Sequence, residues 1–162
     1  MATGVDSRAK GQRAEYAVRD MLREATKLEW DRVPGSGGFG ASHGLKGDIY
    51  LPTPTGKIAA FTIEVKHYKD DVVNSNLFNT TVSQLEKFWE QTVRESIQMN
   101  AMPMLVFKKD RGKWLVALNV EDLPVEYKIP EPNITFNKGE MQVVVFLFES
   151  LLETTKAEYF VK

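Results

Sequence analysis

The sequence predicts a single α/β domain, and three observations carry that expectation. A long amphipathic segment opens the chain, two short period-two strands flank a turn between residues 48 and 66, and a second amphipathic segment leads into two more apolar strands. A length of 162 residues fits one domain, and 43% hydrophobic residues suffice for a substantial core. No linker, repeat or low-complexity stretch divides residues 1–162.

Ser7 to Lys27 reads as the first helix, with Ala14, Val18, Met21, Leu22 and Ala25 forming an apolar stripe. Leu28 to Val33 reads as a strand and Pro34 to Gly47 as a glycine-rich loop. Within that loop, Gly35-Ser36-Gly37-Gly38-Phe39-Gly40 matches G-x-G-x-x-G in form only. No helix opens after Gly40, and no acid follows a second strand at the required place, so a dinucleotide site is rejected. A loop offering backbone N–H groups and Ser36 to a phosphate fits better.

The strand led by Asp48, the turn at Thr53 to Lys57 and the strand Ile58 to Lys66 come next, followed by a polar connector from His67 to Asn79. Thr80 to Met99 is the clearest helix, with Val82, Leu85, Phe88, Trp89, Val93 and Ile97 on one side and Thr81-x-x-Gln84 as a capping box. Pro103 to Phe107 and Trp114 to Leu118 read as strands around the basic turn Lys108-Lys109-Asp110-Arg111-Gly112-Lys113. Residues 121–140, broken by Pro124, Pro130 and Pro132, look irregular. Gln142 to Phe148 reads as a last strand, followed by a short helix.

The chemistry concentrates in Asp48 and in Ile63-Glu64-Val65-Lys66. Along the strand Phe61, Ile63 and Val65 fall on one face, and Thr62, Glu64 and Lys66 on the other. Glu64 and Lys66 therefore point the same way, and Asp48 joins them if its strand pairs alongside. Two carboxylates make a hard oxygen site suited to Mg²⁺, and the ammonium can orient water or steady developing charge. That is a minimal set for metal-assisted phosphodiester hydrolysis. Acid-x-lysine alone carries little, since Glu126-Tyr127-Lys128 repeats it by chance; the Asp48-led strand and the hairpin supply the context. Glu15 lies at the edge of the first helix's apolar stripe, where an i,i+4 pair with Arg19 accounts for it.

Composition excludes other chemistries. Without cysteine there is no disulfide framework, thiol catalysis or thiolate zinc site. His43 and His67 are too few for a histidine-rich centre. No secretory leader is evident and Val143 to Phe148 is too short to span a bilayer, which predicts an intracellular, cytoplasmic protein. The net charge of −1 does not advertise nucleic-acid binding, but a nuclease places acids in its metal site, so local basic clusters matter more. The basic turn at 108–113 reads by itself as a solvated hairpin tip.

Lys10-Gly11-x-x-Ala14-Glu15, Arg32-Val33-Pro34-Gly35-Ser36-Gly37, Gly47-Asp48-Ile49 and Ile63-Glu64-Val65-Lys66 follow one another in order. In that order they resemble the motifs of the archaeal-type Holliday junction resolvases, members of the restriction-endonuclease-like PD-(D/E)xK nuclease superfamily with relatives in phages. The similarity continues through Pro103 to Lys108 and the Trp114 strand, covering about 8–119 and leaving 120–162 as an extension. The resemblance implies a restriction-endonuclease-like fold, a central mixed β-sheet flanked by helices. It implies Asp48 and Glu64 as metal ligands, Glu15 completing the acidic site, and Lys66 activating or positioning the attacking water. Arg32 and Ser36 would sit near the scissile phosphate, and Lys10, Lys108, Lys109 and Arg111 would contact DNA. It further implies Mg²⁺, with Mn²⁺ substituting, branched double-stranded DNA as substrate, and a homodimer, whose surface Phe78, Phe88, Trp89 or the Met141–Leu152 run could supply. A phage-encoded protein of this kind would act inside the host cell. Tyr16, where a basic residue often follows the helix acid, and the longer segments at 36–48 and 67–99 depart from the family pattern.

Overall fold

In the computed structural model, residues 4–34 and 44–162 are described. Helix α1 (Gly4–Thr26) is followed by the short strands β1 (Asp31–Arg32) and β2 (Ile49–Tyr50) and by the long strand β3 (Phe61–Tyr68). Helix α2 (Gln84–Gln98) crosses from β3 to β4 (Met102–Lys109). Strands β5 (Leu115–Asn119), β6 (Asn133–Lys138) and β7 (Met141–Leu147) and helix α3 (Phe148–Thr154) complete the chain. The strands form one seven-stranded sheet in the order β1-β2-β3-β4-β5-β7-β6. Only β3 and β4 run parallel, because α2 carries the chain back between them; every other neighbouring pair is antiparallel.

Both faces of the sheet are covered. On one face Ala14, Val18 and Leu22 of α1 and Phe148 and Leu151 of α3 pack on Ile63, Val65, Met104, Val106, Val116 and Leu118. On the other, Leu85, Phe88 and Trp89 of α2 pack on Leu105, Phe107, Ala117, Val143 and Val145. The alternation along β3 is as expected, but the side bearing Glu64 faces a helix rather than solvent. Residues 120–162 add two strands and a helix to the same sheet rather than a separate body.

The structure corrects several local expectations. Ala25 is exposed, and Thr26 takes its place in the core, bonding back to the Leu22 carbonyl while accepting from Trp30 Nε1 at 2.9 Å. The buried face of α2 is rotated: Val82 and Ile97 are exposed, Thr92 and Ser96 are buried. Those two hydroxyls donate to the Phe88 and Val93 carbonyls, so short polar side chains fill the helix–sheet gap without unpaired groups. The N-cap of α2 is Ser83, boxed with Glu86, not Thr81 with Gln84. Within the stretch expected to be irregular, Asn133–Lys138 is an edge strand turned onto β7 through Gly139, which has φ 59°.

Candidate active site

Asp48 is presented by a glycine that cannot be replaced cheaply. Gly47 has φ 84°, and a Cβ there would meet Thr62 Cγ2 at 3.0 Å and the Ile63 carbonyl at 3.1 Å. The close approach lets the Asp48 amide donate to the Ile63 carbonyl at 2.8 Å and the Asp48 carboxylate accept from the Val65 amide at 2.7 Å. Asp48 is thereby fixed against β3, beside Glu64, which is only 3% exposed.

The acids make successive contacts from one side of the sheet edge to the other. Glu15 on α1 neighbours Asp48, Asp48 neighbours Glu64, and Glu64 neighbours Glu95 on α2, so that each acid feels the next. Burial first, and the Asp48 charge second, push Glu15 up to about 7, opposed by the Arg32 guanidinium. Burial also raises Asp48, with the Val65 amide acting in opposition. Glu64 is pushed up to about 11, by burial first and then by Asp48 and Glu95. Without a cation, these groups hold protons that ordinary carboxyls would have shed.

Glu15 does not pair with Arg19, which instead bonds Asp20 at 2.9 Å and approaches Asp31 at 3.7 Å. Glu15 meets Arg32 at 3.4 Å. Tyr16 does not replace a cation so much as gather two, since Arg19 and Arg32 each lie 4.7 Å from its ring centroid. The Nε of Arg32 is buried and has no acceptor among the described residues. Ser36, expected beside it, lies outside the described residues.

Lys66 follows Glu64 on the same face, its Nζ 5.3 Å from the centre of the Phe88 ring. It lines a cavity of about 120 Å³ together with Tyr68, Asp71, Lys108, Lys109 and Lys113. The basic turn thus adjoins the site. Two of its expected phosphate groups have protein partners: Lys109 lies 3.5 Å from Asp71, and Lys108 lies over Trp114. Lys10 is tied to Asp110 at 2.6 Å. Arg111 is exposed at the tip with φ 64°, and the structure brings it to no site residue. Of the side chains expected at a dimer surface, Phe88 and Trp89 are core, whereas Phe78 is 88% exposed.

A three-acid cage of Glu15, Asp48 and Glu64 is not what the side chains form. Among the described residues no three acidic or imidazole groups are gathered closely enough to enclose a cation, and Glu15 is paired with Arg32. The donor set nevertheless fits Mg²⁺, which takes one or two carboxylates and completes its shell with water and substrate phosphate. Asp48 and Glu64 supply two adjacent hard oxygens; burial first, and for Glu64 the Asp48 charge second, raise their pKa values, a penalty on the charged forms that a bound cation would offset. Sequence reasoning missed Glu95. Its signal was weak but present: Gln84, Phe88, Gln91 and Glu95 fall within about 60° of one another around α2.

Two carboxylates and a lysine set together on one edge of a mixed sheet are what a PD-(D/E)xK nuclease would require. The family model described as "Phage putative PDDEXK endonuclease" matches residues 6–162, and the chain belongs to that family. Protein D14 of Escherichia phage T5 is 55% identical over 158 residues, spanning 98% of this chain and 99% of that one. Among solved structures, Archaeoglobus fulgidus Hjc, a Holliday junction resolvase from an archaeal hyperthermophile, aligns over 88% of this chain and 99% of its own, with 20% identity and a TM-score of 0.46. Among the described residues no helix is long and apolar enough to cross a membrane.

Proposed function

We propose that this nuclease cuts branched DNA and resolves four-way junctions by paired nicks, using Mg²⁺ or, in its place, Mn²⁺. The observation that carries the catalytic part is the fixing of Asp48 beside Glu64 by the Val65 amide, with Lys66 on the same face. Asp48 and Glu64 would hold the cation. Bound there, a divalent ion polarises the scissile phosphate and lowers the pKa of water. Lys66, resting on the Phe88 ring, positions the attacking water or steadies charge on a phosphate oxygen. Glu15 stands at the Asp48 end, held by Arg32, whose Nε, without an acceptor among the described residues, would be a donor for a phosphate oxygen. Lys108, Lys109 and Lys113 around the cavity beyond Lys66 would carry the DNA backbone, with Lys10, Arg111 and Ser36 as further contacts.

The junction as substrate is supported by the ordered motifs over 8–119, including the Arg32–Ser36 segment. A four-way junction has approximate two-fold symmetry and needs two nicks, which suits a C2 homodimer with two active sites. Acting on recombining phage DNA, the enzyme would work in the cytoplasm of an infected cell. The test incubates the protein and Mg²⁺ with a labelled immobile four-way junction and a linear duplex of matching sequence, beside EDTA and Asp48→Asn controls. Symmetric paired nicks confined to the junction establish a resolvase. Cleavage of both substrates makes it a general nuclease of the same fold, and intact DNA in every lane rejects the catalytic reading.

A further inference from the structure

The stripe Gln84, Phe88, Gln91 and Glu95 runs along the side of α2 that closes over β3. Phe88 meets Lys66, and two helical turns further on Glu95 lies beside Glu64, so one side of the helix addresses both strand residues. Glu95 Oε1 accepts from Gln91 Nε2 at 3.5 Å, which sets the rotation of the carboxyl. Glu95 Oε2 is buried and has no conventional donor among the described residues. A glutamate serving only to decorate a helix would keep both oxygens in water, because stranding one in the interior forfeits its hydration. Here the cost is tolerated at the one place where the carboxyl touches a residue of the nuclease site.

We propose that Glu95 is a positioning residue of this nuclease: oriented by Gln91, its carboxyl fixes the Glu64 side chain in the pose from which Glu64 meets the cation. The inference rests on the assignment of Asp48 and Glu64 as cation ligands made above. Glu95 does not itself touch the cation or the scissile phosphate. It acts as the outer partner of a ligating carboxylate, a role whose loss weakens metal sites by about 10–100-fold. Because Gln91 and Glu95 lie on α2 while Asp48 and Glu64 lie on the β2–β3 hairpin, the crossover helix is part of the catalytic apparatus and not only a cover for the sheet.

The discriminating pair of variants is Glu95→Gln and Glu95→Ala. A Gln at 95 keeps a hydrogen-bonding partner for Glu64 without the charge; an Ala removes it. Calorimetric titration of the full chain with Mg²⁺ alone, without DNA, should give a dissociation constant within about threefold of wild type for Glu95→Gln and about 10–100-fold weaker for Glu95→Ala. Cleavage should follow as a shift in the Mg²⁺ concentration for half-maximal rate, with much of the rate recovered at saturation. Gln91→Leu, which removes the orienting amide but leaves Glu95 in place, should give a smaller loss of the same sign, and it serves if Glu95→Ala does not fold. Wild-type Mg²⁺ affinity in both Glu95→Ala and Gln91→Leu overturns the proposal. So does equal loss in Glu95→Gln and Glu95→Ala, which would make the charge itself the ligand. If the wild-type protein binds no Mg²⁺ at all, the assignment of Asp48 and Glu64 falls with it, whereas a cation-binding, DNA-cleaving Glu95→Ala removes only this inference.

Discussion

Replacing Glu64 by glutamine should stabilise the cation-free protein, although it deletes a residue assigned to catalysis. In the folded chain burial and the neighbouring acids hold the Glu64 carboxyl protonated, with a pKa of about 11 against an ordinary 4.5. Above pH 4.5 the unfolded chain has shed this proton and the folded chain has not. The unfolded state then binds fewer protons, so stability falls as pH rises. The contribution is complete below the unfolded pKa and drains away on the approach to the folded one. At pH 7 the loss spans the interval above 4.5, which at 1.36 kcal/mol per pH unit is on the order of 3 kcal/mol. That figure does not depend on where above 7 the folded pKa lies. A glutamine has no proton to retain, and its two N–H groups face two acceptors, Asp48 and Glu95.

In EDTA at pH 7, Glu64→Gln should therefore melt higher than wild type, by up to about 6–12 °C for a chain of this size. Scanning calorimetry at pH 5, 6, 7 and 8 should show the gap widening by about 1.4 kcal/mol per unit. Glu15 titrates within this range, but it is present in both proteins and cancels to first order. Mg²⁺ at a thousandfold excess over Kd should reverse the order, since wild type alone retains both carboxylates and gains about 4.1 kcal/mol there. A gap that stays constant from pH 5 to 8, or a variant less stable than wild type at pH 8 in EDTA, refutes the reasoning.

Asp48→Asn should abolish cleavage while leaving folding and DNA binding intact, because the amide oxygen still accepts from the Val65 N–H; Asp48→Ala should lose about 1–3 kcal/mol as well, measured by denaturant titration. Arg32→Met should move the Glu15 midpoint upward from about 7, because the guanidinium lowers it, and carboxyl-carbon NMR titration reads that shift directly. Junction affinity should fall linearly in log–log plots against salt, and Lys108→Ala or Lys109→Ala should each flatten the slope by about one if they contact phosphate. An unchanged slope assigns that lysine to its protein partner, Trp114 or Asp71.

Much of the acidic edge was legible because strand periodicity is unambiguous over Phe61 to Lys66 and because Gly47 announces the turn that presents Asp48. The assignment of Glu15 needed the family resemblance; its helix position alone favoured Arg19, and only the chain's return at Arg32 brings the actual partner. Glu95 was hidden for a different reason. The apolar residues of α2 suggested a face centred nearer Val93 and Ile97, but the short hydroxyls Thr92 and Ser96 rotate the buried side and draw Glu95 inward. The edge strand Asn133–Lys138 escaped notice because it is mostly exposed, so its composition is that of a loop.

The parallel pairing of β3 with β4 sets the order in which the enzyme becomes competent. Glu15, Asp48, Glu64 and Lys66 all leave the ribosome before the strand beside them, and α2 with Glu95 precedes that strand by only a few residues. Until Met102–Lys109 has emerged, β3 lacks its central neighbour and α2 has half a sheet to close upon. A truncated or nascent chain therefore carries the sequence of a nuclease without its chemistry. A chain ending before Met102 should accordingly bind no Mg²⁺ at the Asp48–Glu64 edge, which calorimetric titration of such a fragment would check.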